Sequence, residues 1–191
     1  MNEGVQVAFF GGSFDPPHVG HVLAAAYALS TGQVQKVVCV PVFAHAFAKA
    51  LSDFEQRLTM IRLAMQPLRD VEVSDIERDL STPSYTLRTL QALQGRHPNW
   101  QLRLMVGSDV FADRQKWQSF DEIVALAPPL VLARAGVAGA GPGLLPEVSS
   151  SEVRALLRQT PTDLARLATV VPRAVLEHIA AHGLYGANHK G

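Results

Sequence analysis

The chain has few of the features that mark a secreted, membrane or polyanion-binding protein. It has one cysteine, Cys39, in 191 residues, which excludes an internal disulfide and is typical of a reducing compartment. Lys plus Arg and Asp plus Glu each number 17, so no net charge favours nucleic acid or an anionic membrane as a partner. The longest apolar window, 123–140, is interrupted by prolines and an arginine, which argues against a membrane span. The N-terminus shows no signal peptide pattern, so we expect a cytoplasmic protein.

Short apolar runs alternate with helical patterns along the chain. Strands are expected at 5–10, 36–40, 71–76, 102–106 and 130–133, with a short sixth strand at 144–148. Helices are expected between them, and two more at 161–167 and 172–182 form a helical C-terminal end. This alternation predicts the α/β class, with one doubly wound parallel sheet of five or six strands and helices on both faces. We expect a single domain over 1–191, with a mobile linker inside it at 136–148.

Two segments have the spacing of a capping box, in which a hydroxyl precedes a glutamate by three residues. Ser52 with Glu55 predicts the start of one helix, and Ser149 with Glu152 predicts the start of another. Cys39 lies in an apolar run and is expected to be a buried strand residue rather than a reactive thiol.

The stretch GGSFDPPHVGH, residues 11–21, joins the first strand to the first helix. Gly11 and Gly12 allow the backbone to approach a phosphate closely, and Ser13 can donate a hydrogen bond to it. His18 and His21 lie on one face of the first helical turn, where ring N–H groups and the helix dipole favour an anion. The stretch has neither the lysine of a P-loop nor the G-x-G-x-x-G spacing. The alternatives are a glycine turn with two helix-capping histidines and, with less support, a zinc site.

Three further clusters fall at expected strand ends or helix starts. Ser149–Ser151 with Arg154 form either an anion cradle or a capping box beside a surface arginine. Gly107–Asp109 follow the fourth strand, where a carboxylate binds ribose hydroxyls or caps a helix. Ser84–Thr86 and Trp117 suggest a stacking platform for a flat ring, or an ordinary packed aromatic.

The opening stretch resembles the first signature of the nucleotidyltransferase superfamily that carries the (H/T)xGH motif. The run SSSEVR, residues 149–154, resembles its second signature. Residues 83–86, 107–109 and 116–117 resemble, in the same order, motifs of the bacterial nicotinate-nucleotide adenylyltransferases. The similarity extends from Val5 to Tyr185. It implies a Rossmann-like fold and transfer of the adenylyl group of ATP to nicotinate mononucleotide, with Mg²⁺ carried on the ATP.

The resemblance also implies roles for individual residues on the ATP side. His18 and His21 would hold ATP phosphates and stabilise charge at the α-phosphorus, while Ser150 and Arg154 would hold the β and γ phosphates. Asp109 would lie near a ribose. The residues that this resemblance assigns to ATP are Gly11, Gly12, Ser13, Phe14, His18, His21, Gly107, Asp109, Ser150 and Arg154.

On the acceptor side, the resemblance implies that Trp117 stacks on the pyridine ring and that backbone N–H groups near Thr86 and Gln118 receive the carboxylate. Ser13 and Tyr85 would complete this pocket. One segment departs from the family: PVFAHAFAK over 41–49 replaces a Pro-Pro-His-Lys type of loop, although His45 and Lys49 can still reach a substrate phosphate. The alternatives are therefore adenylyl or cytidylyl transfer to nicotinamide mononucleotide or phosphopantetheine, or a non-catalytic nucleotide sensor. The oligomeric state is left open.

Overall fold

Five parallel strands form the centre of this fold, which we describe from a computed structural model covering residues 4–44, 50–112, 114–133, 145–159 and 162–187. The strands are β1 Val5–Gly12, β2 Lys36–Pro41, β3 Val71–Val73, β4 Trp100–Gly107 and β5 Pro129–Leu132. Their spatial order is β3-β2-β1-β4-β5, and every neighbouring pair is parallel. The chain winds outward from β1 on one side and then on the other. The predicted doubly wound α/β sheet is confirmed, with five strands.

Eight helices are described around the sheet: α1 Val19–Ser30, α2 Phe54–Met65, α3 Thr86–Arg96, α4 Ser108–Ala112, α5 Phe120–Leu126, α6 Ser150–Leu157, α7 Leu164–Val170 and α8 Arg173–Ala181. Three short 3₁₀ turns cover Ile76–Asp79, Arg114–Lys116 and Leu184–Gly186. None of the helices in the described segments is both long and apolar enough to cross a membrane.

Strand periodicity divides the core into two layers. Val7 and Phe9 of β1 face one cluster with β4 and helices α3 and α5, whereas Ala8 faces the other cluster with α1, α2 and the C-terminal helices. β2 alternates in the same way, and its Cys39 is fully buried in the second layer. Burial raises the pKa of the Cys39 thiol well above its ordinary value, so the prediction of an inert strand cysteine agrees with the structure.

Several expected element boundaries are wrong, and each has a physical reason. A strand is expected at 144–148, of which the structure describes 145–148. These four residues contain only an isolated bridge at Leu145 and no strand. Leu145 and Val148 are buried, so their apolar character reflects packing rather than strand pairing. The third strand ends early at Val73, because the chain turns into the 3₁₀ segment that buries Ile76.

The two expected capping boxes have different outcomes. Ser149 caps α6 and accepts a hydrogen bond from the Glu152 N–H, as predicted. α2 is capped instead by Asp53, whose carboxylate accepts from the N–H groups of Glu55 and Gln56. The Ser52 hydroxyl donates instead to the Asp15 carboxylate, so the prediction that Ser52 caps α2 is wrong.

Two other expectations concern the C-terminal third of the chain. The helix expected at 161–167 is shifted to α7 Leu164–Val170, because the Asp163 side chain accepts from Arg166 N–H and fixes the start. Residues 136–144 of the expected linker lie outside the described residues.

Candidate active site

One cavity of about 770 Å³ opens at the carboxyl edge of the sheet. Its floor is formed by the ends of β1 and β4, the central pair from which the chain winds in opposite directions. This switch point is where doubly wound sheets bind ligands. The volume lies within the range of pockets for molecules the size of nucleotides. Of the residues predicted for the ATP site, Gly11, Gly12, Ser13, Phe14, His18, His21, Gly107 and Ser150 line it.

The loop after β1 carries the two histidines to the start of α1. His18 is the N-cap residue of α1 and is 5% exposed. Its ring and that of His21 lie face to face, with ring centroids 3.8 Å apart and planes tilted by 33°. The Phe14 ring contacts His21 edge-on at 5.0 Å between centroids. The predicted pairing of two imidazoles at a helix N-terminus is therefore present in the structure.

A hydrogen bond to Nδ1 of His21 indicates the tautomer of its ring. The backbone N–H of His18 donates to His21 Nδ1 at 3.1 Å. An imidazole nitrogen that accepts a hydrogen bond carries no proton, so the proton of the neutral ring sits on Nε2. His21 therefore caps the helix with one nitrogen and keeps a donor on the other. The interpretation as a capping histidine and the interpretation as a phosphate ligand are compatible.

Gly20 makes this arrangement possible. A Cβ at that position would lie 3.0 Å from the His18 ring atoms Cε1 and Nδ1, and 3.2 Å from Val148. These separations are tighter than ordinary van der Waals contacts, so a larger residue would displace the ring. The glycine between the histidines is a steric requirement of the His18 position.

The start of α6 lies beside the loop that carries the histidines. Ser149, Ser150 and Ser151 line the cavity, and the Ser150 hydroxyl donates to the Pro16 carbonyl at 2.9 Å. Arg154 is not among the described residues that line the cavity. Its guanidinium donates to the Asp15 carbonyl at 2.5 Å and to Ser151 Oγ at 3.1 Å. The structure thus brings Arg154 to the opening loop, where it supports the backbone.

The opposite end of the cavity is lined by the residues predicted for the acceptor. Tyr85 is the N-cap of α3, and Thr86 is its first residue, so the free N–H groups of the first turn lie at this wall. Trp117 and Gln118 follow the 3₁₀ turn after α4 and also line the cavity. Trp117 is half-buried and packs edge-on against Phe120, with centroids 6.3 Å apart. The tryptophan is therefore both a packed aromatic and part of the cavity wall.

A buried glutamate at this wall connects the loop after β2 with α3. Glu77 is 6% exposed and lines the cavity. Its carboxylate accepts from the Phe43 N–H at 2.9 Å and from the Thr89 hydroxyl at 2.8 Å. Ser84 adds two bonds between the same segments, because its N–H donates to the Ala44 carbonyl at 2.8 Å and its Oγ accepts from the Ala44 N–H. The loop after β2 is thus fixed to the start of α3.

A buried arginine connects the loops below the cavity. Arg57 of α2 is 1% exposed and donates to three backbone carbonyls, those of Ser13 at 3.0 Å, Val42 at 2.8 Å and Ser52 at 2.9 Å. Burial lowers the pKa of its guanidinium, and the nearby Asp15 carboxylate opposes that shift. The planar fork of arginine suits this three-way contact. Arg57 joins the loop after β1 to the loop after β2.

Asp15 is the third buried polar residue that supports the site. It is 3% exposed, and its carboxylate accepts from the Ser52 N–H, the Ser52 hydroxyl and, at 2.7 Å, the Tyr185 hydroxyl. Burial raises the pKa of the Tyr185 hydroxyl above its usual range, so the group remains protonated and donates.

Sequence reasoning missed Arg57, Glu77 and the Asp15–Tyr185 pair. Arg57 bonds Ser13 44 positions away, Glu77 bonds Phe43 34 positions away, and Asp15 bonds Tyr185 170 positions away, and no local pattern reveals contacts of this range. Three predicted site residues cannot be placed fully: His45 and Lys49 lie outside the described residues, and so does the side chain of Asp109. The backbone of Asp109 belongs to the first turn of α4.

Comparison with known proteins identifies the family. A protein-family model described as cytidylyltransferase-like matches residues 9–156. A probable nicotinate-nucleotide adenylyltransferase from Anaeromyxobacter sp. (strain K) is 42% identical, covering 97% of this chain and 99% of the relative. A protein of the same name from Myxococcus xanthus (strain DK1622) is 38% identical and covers 97% of both chains.

Solved structures share the fold. The Plasmodium falciparum nicotinic acid mononucleotide adenylyltransferase complexed with NaAD superposes with a TM-score of 0.76 at 18% identity, covering 96% of this chain and 98% of that one. A putative nicotinate-nucleotide adenylyltransferase from Vibrio parahaemolyticus superposes with a TM-score of 0.75 at 22% identity, covering 96% and 97%. These agree with the predicted Rossmann-like architecture. With the near full-length sequence relatives, they lead to one conclusion: the chain belongs to the cytidylyltransferase-like family and, within it, to the nicotinate-nucleotide adenylyltransferases.

Proposed function

We propose that the protein transfers the adenylyl group of ATP to nicotinate mononucleotide, giving deamido-NAD and pyrophosphate for NAD biosynthesis. Full-length relatives at 42% and 38% identity carry the name of this enzyme. Structures of the Plasmodium protein are complexed with NaAD and with APC. The prediction of a nucleotidyltransferase made from the motifs agrees with the family of the chain.

The observation that carries this function is that one cavity joins the His18–His21 pair to the wall formed by α3 and Trp117. A group transfer between two nucleotides needs both substrates in one enclosure, with the reacting phosphates where they meet. The histidines and the start of α6 supply the phosphate end. The aromatic ring and the first turn of α3 supply an end suited to a flat ring with a carboxylate.

The reaction needs no covalent intermediate. A phosphate oxygen of the mononucleotide attacks the α-phosphorus of ATP, the bond from the α-phosphorus to its bridging oxygen breaks, and pyrophosphate leaves. Negative charge is redistributed over the oxygens of the transferring group. His21 Nε2–H and His18 are the donors that we assign to these oxygens, and catalysis consists of positioning and electrostatic stabilisation.

The leaving pyrophosphate is assigned to the start of α6. Ser150 lies at the cavity wall, and the Ser149–Ser151 segment presents the N-terminus of that helix. Arg154 contributes through its contact with the loop at Asp15, and its remaining N–H groups are the candidates for the β and γ phosphates. Gly107 and Asp109 at the end of β4 are proposed to lie near a ribose.

The acceptor is assigned to the opposite wall. Trp117 is proposed to stack on the pyridine ring, with the carboxylate received by backbone N–H groups near Thr86 and Gln118. Ser13 and Tyr85 border the same space. His45 and Lys49 are proposed to reach the mononucleotide phosphate from the loop after β2.

Magnesium is proposed to enter with ATP. The described residues contain no group of three or more His, Cys, Asp or Glu side chains suited to hold a metal ion. Mg²⁺ keeps several waters and is commonly bound through substrate phosphates, so an ion carried by ATP needs no dedicated cage of protein ligands. Such an ion would supply charge neutralisation for the leaving pyrophosphate.

We also propose that residues 1–191 form one nucleotidyltransferase domain.

Pyrophosphate release tests this function. The protein is incubated with MgATP and, separately, nicotinate mononucleotide, nicotinamide mononucleotide or phosphopantetheine, and the series is repeated with CTP. We expect the highest kcat/KM for ATP with nicotinate mononucleotide. Preference for phosphopantetheine or CTP would contradict the proposal, and binding of ATP without turnover of any acceptor would favour the nucleotide sensor.

A further inference from the structure

The C-terminal 3₁₀ turn Leu184–Gly186 reaches the loop that carries the histidines. Tyr185 Oη donates to Asp15 Oδ1 at 2.7 Å and lies 3.1 Å from Ser52 Oγ. Ser52 bonds the same carboxylate through its N–H and its hydroxyl. The three residues form one hydrogen-bonded cluster at the base of the loop. Asp15, its centre, lies three positions before His18.

Asp15 has no freedom to move without breaking this cluster. Asp15 is only 3% exposed, and every residue from Phe14 to His18 is also buried. Its carbonyl accepts from Arg154, so both the side chain and the main chain are held. A buried carboxylate needs such donors because its desolvation is costly. Asp15 therefore transmits any shift of Tyr185 or Ser52 to the segment ending at His18.

Backbone strain occurs on both sides of the contact. Phe14 has φ of 48° and Tyr185 has φ of 60°, and neither residue is glycine. Residues with a Cβ rarely adopt this left-handed region of backbone φ, and they persist in it only where surrounding contacts impose it. Two such residues thus flank the same hydrogen bond. Strain of this kind concentrates where a structure holds groups in a geometry needed for function.

We infer that Tyr185 and Ser52 are positioning residues for the phosphate end of the cavity. They act through Asp15 and hold the loop at the place where the His18 N–H meets His21 Nδ1, which in turn directs His21 Nε2. The inference rests on the proposed adenylyl transfer. It assigns to the C-terminal turn, which has no residue lining the cavity, a share in setting the geometry of the transferring phosphorus.

Hydroxyl deletions test this assignment. Tyr185→Phe and Ser52→Ala each remove one hydroxyl donor to Asp15 while keeping the remaining side chain. We expect each to lower kcat roughly tenfold, because small displacements of donors are costly in a positioned transfer. We expect the KM for nicotinate mononucleotide to be unchanged, since the acceptor wall does not contain these residues. The double variant is expected to lose less than the product of the two single losses, because both act through Asp15.

Matched variants separate positioning from general stability. Ser52→Thr keeps the hydroxyl and is expected to restore most of the turnover lost in Ser52→Ala. Tyr27→Phe removes a hydroxyl from a half-buried tyrosine of α1 that is not among the cavity-lining residues, and is expected to leave kcat unchanged. If Tyr185→Phe does not fold, the Ser52 pair carries the test.

The possible results are distinguishable. Wild-type protein without pyrophosphate release would refute the proposed function itself. Active wild type together with Tyr185→Phe and Ser52→Ala variants of normal kcat would overturn the positioning role. A loss of kcat that merely follows the folded fraction, or multiplicative losses in the double variant, would also overturn it.

Discussion

At the scale of single residues, His21 is proposed to combine two tasks in one ring. Nδ1 accepts the His18 N–H at the helix start, and Nε2–H is the proposed donor to a substrate oxygen. The two nitrogens can be tested separately, because an asparagine oxygen resembles Nδ1 in position and a glutamine amide resembles Nε2. A purely capping histidine and a phosphate-binding histidine then differ in which variant is active.

The first prediction concerns His21. We expect His21→Ala and His21→Asn to lower kcat by about 10²–10³, the usual loss for one preorganised donor. His21→Gln is expected to retain more activity than either. Turnover of ATP with nicotinate mononucleotide is the measurement, and His182→Ala, at an exposed position of the C-terminal end, is the control. An active His21→Asn variant would assign the ring to helix capping alone.

The second prediction concerns Gly20. Gly20→Ala places a methyl group 3.0 Å from the His18 ring, which must move. We expect a tenfold or greater loss of kcat from misplacement of the donor. Gly95→Ala, where an added Cβ meets nothing within 4 Å, is the matched control and is expected to be neutral or slightly stabilising in α3. Equal activity of Gly20→Ala and wild type would show that the His18 position is unimportant.

At the scale of elements, the loop after β2 and helix α3 behave as one unit. Glu77 accepts from both, and Ser84 pairs with Ala44 in two directions. This joint construction places the first turn of α3 against the cavity. The departure of residues 41–49 from the family pattern therefore occurs in a loop whose described part is firmly anchored.

The third prediction follows from this anchoring. Glu77→Ala leaves the Phe43 N–H and the Thr89 hydroxyl without their acceptor, and we expect the KM for nicotinate mononucleotide to rise about tenfold, equivalent to about 1.4 kcal/mol. The KM for ATP is expected to stay within twofold. Glu77→Gln keeps one acceptor oxygen, and its KM for nicotinate mononucleotide is expected to lie between those of the wild type and Glu77→Ala. Glu122→Ala on the exposed face of α5 serves as the control. A matching rise in the KM for ATP would argue against a role specific to the acceptor wall.

Most elements were predictable from local periodicity, whereas the polar contacts between them were not. β1, β2 and the start of α6 at Ser149 follow from apolar runs and one capping box. Ser52 has the same capping pattern, yet Asp53 caps α2 because Asp15, 37 positions away, takes the Ser52 hydroxyl. The motif residues that line the cavity could also be predicted from the sequence, because they fall in short contiguous runs such as 11–21 and 149–154. Arg57 and Glu77 were not, since a buried charge is identified only by its distant partners.

At the scale of the whole molecule, the cavity has two chemically different ends on one sheet edge. The fourth prediction uses this separation. Trp117→Ala is expected to weaken binding of nicotinate mononucleotide roughly tenfold or more, the loss typical of a stacked base, and to leave ATP binding unchanged. Calorimetric titration with each substrate measures this, and Trp117→Phe is expected to restore part of the affinity. Equal weakening for both substrates would make Trp117 a packing residue only.

The fifth prediction concerns the centre of the sheet. Cys39 is fully buried on β2, and burial raises its thiol pKa. A thiol-specific reagent is expected to leave the folded protein unlabelled and to modify Cys39 only as the sheet opens. The unfolded chain releases this proton at a lower pH than the folded one, so the unfolding free energy should decline above about pH 8.5.

Cys39→Val is the control for that decline, because it removes the titrating group and keeps a similar volume. Denaturant melts of both proteins between pH 7 and 10 provide the measurement. A decline of the same size in both would mean that other groups cause it, and rapid labelling of folded protein would contradict the burial of the thiol.

The hydrogen bond from Tyr185 to Asp15 joins positions 170 apart. During synthesis β1 and α1 emerge from the ribosome long before Tyr185 is added, and their strand neighbour β4 also arrives later. Every shorter nascent chain therefore lacks the contact that fixes the loop before His18. We expect nascent chains that stop before Tyr185 to bind ATP only weakly.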